Sequence, residues 1–247
     1  MDITMGLAGA IALGAALVVM YVVLRRYTYP AVEQPFFSDP SLFFLFTIGL
    51  IEGTILFVAY TYVFPWYTVS GLGLIVAILF GVVTELVKLV TLNLRRYSGK
   101  SDTVFYGFGL GLGLGAAMGF GIIYFWSSQL EMDAASWAIV IVFSLQNIFL
   151  HSGTGIRVGE GVARKRPMEF LMLALFVNMA FQVLMALTYS SLSSGDQSLY
   201  ILSYVLMAAA FILVVANFYI MVWKKLPGII DDILKGQGKK RNDIPGL

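Results

Sequence analysis

"GVVTELVKLV", residues 81–90, sets Glu85 and Lys88 one helical turn apart inside a run that is otherwise apolar. A chain that carries two charges into such a run has to satisfy them, and how it does so decides how the run is read. The residues around it extend the apolar stretch from about 70 to 94, more than the about 20 residues a spanning helix needs. The whole chain shares this character: of its 247 residues 59% are hydrophobic and 12% charged, and its mean hydropathy is +0.86. That is the composition of a membrane protein rather than of a soluble domain. Six further segments qualify as spans, near 5–24, 41–64, 103–126, 136–156, 168–189 and 199–223. The expected fold is therefore all-α: a polytopic membrane protein with seven transmembrane helices.

The basic residues give that fold a direction, because lysine and arginine collect on the cytoplasmic side. In a seven-span chain Arg25 and Arg26, then Arg95, Arg96 and Lys100, then Arg157, Arg164, Lys165 and Arg166 all fall on one side, together with the lysines and Arg241 of the C-terminal stretch. Lys88 is the exception. The opposite loops hold the acids Asp2, Glu131, Asp133 and Asp196. The N-terminus is expected outside and the C-terminus in the cytoplasm. No basic residue precedes the first span and Arg25-Arg26 follows it, which is the pattern of a retained helix and not of a cleaved signal peptide. The cell membrane is the expected location. Cysteine is absent, so thiolate metal sites and cysteine nucleophiles are excluded, and a net charge of +2 speaks against nucleic acid as a partner.

No linker or internal repeat divides the chain, which reads as one membrane domain, 1–223, followed by a basic cytoplasmic tail, 224–247. In that tail Ile229, Ile230, Ile233 and Leu234 are spaced for one face of a short helix, readable as an interfacial anchor for anionic lipid or as a docking site for a partner protein. The fourth span begins "YGFGLGLGLGAAMGFG", residues 106–121. Gly107, Gly111, Gly115 and Gly119 recur every fourth residue and line one face, while Gly109, Gly113 and Gly121 with Ala117 line an adjacent one. Glycine at this spacing lets helix backbones approach closely in lipid, where packing replaces the hydrophobic effect. This span is expected at the centre of the bundle. The pattern imitates a nucleotide-binding glycine loop, but no strand precedes it.

Charges at membrane depth are costly and are by default paired or functional. Here they are Glu52, Glu85, Lys88 and the lone His151, accompanied by Gln146, Asn147, Asn178, Gln182 and Asn217. Glu85 lies ten residues before Arg95, about 15 Å above the cytoplasmic edge at 1.5 Å per residue. By the same rise His151 lies roughly 9 Å above it, and Asn178 and Glu52 come to a comparable level. One polar site in the inner half of the membrane can collect all four. Glu85 and Lys88 share a helical face; either they neutralise each other, or Glu85 serves a wet cavity as metal ligand, general base or hydrogen-bond hub. His151 is open to the same choice between structural use and ligation or proton transfer. A catalytic zinc site takes three protein ligands plus water, and only Glu52, Glu85 and His151 are on offer at this depth.

"TELVKLV", a basic loop, "YGFGLGLGLG" and, one helix later, "HSGTG" resemble the YhfC-like group of intramembrane metalloproteases, related to the PrsW and CAAX-type proteases. They also resemble the Aph scaffold subunit of γ-secretase, a heptahelical protein with its N-terminus outside. The resemblance covers roughly residues 75–185, with motif order, spacing and topology in agreement. It implies that Glu85 matches the second glutamate of the proteases' paired-glutamate motif, Lys88 the basic residue that follows, and His151 the histidine of the later motif. The first glutamate of the pair is Thr84 here. The histidine and glutamate that the proteases place in the glycine-rich helix fall at Leu110 and Leu114. A metal centre without those side chains has too few ligands for a peptidase. The scaffold subunit is the nearer pattern, with a single glutamate followed by a basic residue, a small-xxx-small helix and a histidine at the His151 position. Its second intramembrane histidine falls near Asn178.

The expectation is a non-catalytic relative of these proteases. In it Glu85, Lys88, His151 and Asn178, with Glu52 close by, form a polar hub, and the protein acts as a scaffold for a membrane-protein partner or for its own copies. No cofactor is needed in that reading. The alternative is a zinc-dependent intramembrane protease acting on transmembrane or lipidated substrates, with Glu85 and His151 as metal ligands and catalytic residues. A transporter or sensor is less favoured, and a retinal Schiff base lacks a lysine in the seventh span.

Overall fold

The computed structural model describes residues 3–63, 71–129 and 131–246. Asp2, and the expected ends of the second and third spans at 64 and 70, lie outside the described residues. The chain is all-helical there: α1 (Ile3–Leu24), α2 (Asp39–Val63), α3 (Gly71–Leu92), α4 (Thr103–Gln129), α5 (Ala134–Ala163), α6 (Pro167–Leu192), α7 (Gln197–Tyr219), a π-helical turn (Ile220–Lys225) and α8 (Leu226–Gly236). Seven of these stretches are long and apolar enough to cross a membrane. Side-chain caps set two of their starts: Asp133 accepts from the Ser136 N–H at the head of α5, and Asp196 from the Ser198 and Leu199 N–H groups at the head of α7.

α4 is the axis of the bundle. It is buried from Thr103 to Ile123 apart from Phe120, and it packs against α5, α2 and α1. Its two glycine faces separate two of these neighbours. Gly107, Gly111, Gly115 and Gly119 face α5, where a methyl group on each would run into Gly155, His151, Asn147 and Ser144 respectively. Gly109, Gly113 and Gly121 face α2 and meet Leu42, Phe46 and Phe57. α2 answers with Gly49 and Gly53, whose missing side chains leave room for the α4 backbone at Leu110 and Leu114. On the third side α1 presents Ala8, Ala12 and Ala16, all fully buried. Small residues on both partners bring the backbones into contact, which is how helices associate where lipid already satisfies apolar surface.

α5 runs to Ala163, beyond the expected end at 156. Its extra turns carry "RVGEGVA", where Gly159 packs on Thr103 at the start of α4; Gly155, just before them, packs on Gly107. Arg157, expected in a loop, is consequently a helical residue; its guanidinium donates to the Asn217 side-chain carbonyl of α7 at 3.0 Å.

The basic loops meet at one end of the bundle. Gly99 donates its N–H to the Val162 carbonyl at 3.2 Å and accepts from the Gln237 side chain at 2.9 Å, and Arg164 pairs with Asp232 at 3.1 Å. The apolar face of α8, Ile229, Ile230, Ile233 and Leu234, is buried in the main core cluster. The tail helix thus turns this face to protein rather than to the lipid surface. Beyond it Arg241 donates to the Gln34 carbonyl at 2.7 Å and lies over the Phe36 ring, while Asp243 accepts from the Glu33 N–H at 3.2 Å. The Arg241 guanidinium holds the Asp243 carboxyl down at about 2. Its contribution to docking the tail is complete above the ordinary carboxylate range and is lost as pH falls through that value.

The glycine contacts make a paired prediction. Gly111→Ala sets a methyl group against the His151 carbonyl and is expected to destabilise the protein by about 1–3 kcal/mol, the usual cost of overpacking. Gly14→Ala, where nothing lies within 4 Å, is expected to be neutral or slightly stabilising. Thermal unfolding of the two variants in detergent checks both.

Candidate functional site

Lys88 is fully buried, together with Glu85, Thr84, His151, Thr154 and Asn178. α3 supplies Thr84, Glu85 and Lys88, α5 supplies His151 and Thr154, and α6 supplies Asn178. Gly81, one turn before Glu85, opens the space for α6: a methyl group there would stand 3.0 Å from both the Asn178 side-chain oxygen and Gln182 Cγ.

The Lys88 ammonium is the centre of the site. It is 2.7 Å from Glu85 Oε1, 2.5 Å from Thr154 Oγ1 and 3.4 Å from His151 Nδ1. An ammonium has three protons and no acceptor capacity, so these three partners use all it can give. Because a cationic donor faces Nδ1, the hydrogen-bond network assigns the ring proton of a neutral His151 to Nε2. Glu85 Oε1 also accepts from Asn178 Nδ2 at 2.6 Å, and the same amide nitrogen lies 3.1 Å from Thr84 Oγ1. Gln182 Nε2 extends the chain to the Asn178 side-chain oxygen at 3.3 Å. Glu85 Oε2 and His151 Nε2 have no protein partner.

Four of the five residues expected in a polar hub, Glu85, Lys88, His151 and Asn178, are therefore linked in one network. Glu52 is bonded elsewhere: its Oε1 accepts from Thr91 Oγ1 at 2.5 Å, a turn beyond Lys88. Among the described residues no hydrogen bond joins it to the other four. From α2 its charge still acts on Lys88, without a hydrogen bond to it. Thr154 was not anticipated. Its signal is in the sequence all the same, since His151 and Thr154 repeat on α5 the i, i+3 spacing of Glu85 and Lys88 on α3.

Among the described residues no three His, Cys, Asp or Glu side chains converge into a group able to hold a metal ion. An ammonium also stands against both Glu85 and His151, where it would oppose a divalent cation. Leu110 and Leu114 are fully buried in apolar clusters. What the arrangement does is hold a buried ion pair in place with neutral hydrogen-bonding groups and tie three helices together through it. Compared with family models, curated proteins and solved structures, the chain matches none.

Asn178→Leu removes a donor from Glu85 and strands the Gln182 amide; the loss of a hydrogen bond to a charged group predicts destabilisation of about 1.5–3 kcal/mol. Thr154→Val, which takes an acceptor from Lys88, is expected to fall in the same range. Glu52→Gln keeps an acceptor for Thr91 and removes only an unbonded charge from the surroundings of Lys88, so it should cost less than either. Thermal melts of the three variants in one detergent compare them directly.

Proposed function

We propose that this chain is a multi-pass integral protein of the cell membrane, with its N-terminus outside and its C-terminus in the cytoplasm, that acts as a non-catalytic scaffold. The observation that carries the reading is the saturated Lys88 ammonium. In a hydrolytic centre the glutamate and histidine would be free to bind a metal or activate water. In this chain the same two side chains neutralise and orient a lysine. The retained skeleton serves as a pin between α3, α5 and α6. The resemblance of "TELVKLV", "YGFGLGLGLG" and "HSGTG" to the protease and Aph group supports a descent in which chemistry was lost and the frame kept.

As a scaffold the protein would work through its lipid-facing surface. α2 exposes Ile51, Ile55 and Val58, and α7 exposes Ile201, Val205 and Ile212. Such faces suit another membrane protein or a second copy of the chain. The orientation rests on the loop charges, now joined by the meeting of the basic segments at one end of the bundle.

The alternative is a zinc-dependent intramembrane protease. It rests on Glu85 Oε2 and His151 Nε2, which lack protein partners, and it requires Lys88 to leave the site. Elemental analysis of detergent-purified protein separates the two. The scaffold reading predicts zinc far below one atom per chain and no difference in a Glu85→Gln/His151→Gln variant. Near-stoichiometric zinc that disappears in that variant, with chelator-sensitive cleavage of a membrane substrate, would overturn it. Orientation has its own test, made simple by the absence of cysteine. A membrane-impermeant maleimide applied to whole cells is expected to label Ser194→Cys and not Lys240→Cys.

A further inference from the structure

α1 and α2 both pack on α4 and leave a furrow between them. At the basic end of the bundle the furrow widens into a cavity of about 440 Å³. Its floor is apolar and well buried, with Met20 of α1 and Leu42 of α2 only 4% and 1% exposed. Its walls, Leu17 and Phe43, are about half exposed and face outward. Two opposite charges stand at its rim: Arg25, the residue after α1, and Asp39, the first residue of α2. Neither forms an ion pair with the other or with any described residue. Arg25 is steadied over the Tyr21 ring, 5.9 Å from its centroid, and leaves its donors available.

We infer that this cavity is a binding site for one glycerophospholipid with a zwitterionic phosphoethanolamine headgroup. Arg25 and Asp39 terminate the apolar spans of their helices, which puts both at headgroup level whichever way the protein is inserted. Arg25 presents a planar fork of donors suited to a phosphate diester. Asp39, on the other side of the same rim, suits a cation that carries N–H donors. The acyl chain follows the furrow between Leu17 and Phe43 over Met20 and Leu42. One lipid class matches all three features together. An anionic glycerol headgroup offers Asp39 no positive charge, and a choline headgroup has no N–H to donate to it. The inference depends on membrane insertion alone and not on the scaffold reading.

Native mass spectrometry of the delipidated full chain, titrated with phosphatidylethanolamine, phosphatidylcholine and phosphatidylglycerol of identical acyl chains, tests it. Phosphatidylethanolamine is expected to bind more tightly than the other two, by about two- to fivefold for one exposed charge contact. Asp39→Asn should abolish its advantage over phosphatidylcholine and leave the remaining binding intact. Arg25→Gln should weaken all three lipids. Both residues are exposed and unpaired, so the variants should melt with the parent protein, and Asp196→Asn at the opposite end is expected to change nothing. Equal or tighter binding of phosphatidylglycerol, or a phosphatidylethanolamine preference that survives Asp39→Asn, would overturn the assignment. So would a furrow found occupied by a helix of a second copy.

Discussion

A lysine side chain with none of its surface exposed needs acceptors for three protons and a compensating negative charge, and the packing of three helices follows from supplying them to Lys88. α3 brings the carboxylate from one turn away. α5 must then approach at a depth and rotation that place both His151 and Thr154 on the ammonium. α6 must bring Asn178 to the carboxylate, which it reaches only because Gly81 leaves the space. Isolated ions are expensive in a low-dielectric interior, and an ion pair there holds its value only when its remaining hydrogen-bonding capacity is also met. The ammonium here is fully satisfied by protein, and the network is an orienting device more than a source of net stability.

The glycine helix is the mechanical counterpart of that pin. Lys88 can reach α5 only if α5 lies close to the bundle axis, and the Gly107 to Gly119 face brings α5 against α4 over about three turns. The carbonyl of His151 itself lies over Gly111. A methyl group at that one position would displace the backbone that carries the site's histidine. Packing of α4 on α5 and polar satisfaction of Lys88 are thus two parts of one constraint. The basic end closes the frame, with α8 and the tail tied to the loops after α1, α3 and α5.

Much of this was legible in the sequence, for identifiable reasons. Span number follows from hydropathy because an apolar segment in lipid must pair its backbone groups internally, which a continuous helix does. The depth of Glu85, His151 and Asn178 follows from counting residues to the nearest basic loop, and depth alone pointed to a shared site. Rotation about the helix axis was not legible, which is why the hydrogen bond of Glu52 goes to Thr91 and not into the network. Thr154 carries a signal in its spacing from His151, but a weak one, since a threonine in a span usually bonds its own helix, as this one also does to the Leu150 carbonyl. The end of α5 was misplaced because Arg157 reads as a loop residue by charge, whereas its partner on α7 lets it remain helical. The tail's apolar spacing was visible, but whether it meets lipid or protein depends on contacts far away in sequence.

The central claim is that Glu85 and Lys88 form a structural pair and not a working metal centre. A double-mutant cycle on the unfolding free energy in detergent, with Lys88→Met, Glu85→Gln and both together, tests it most directly. Each single change leaves a buried group uncompensated; Lys88→Met should cost about 3–5 kcal/mol and the double variant markedly less than the sum of the two singles. Additive losses, or a Lys88→Met variant as stable as the parent that now binds zinc stoichiometrically, would contradict the account.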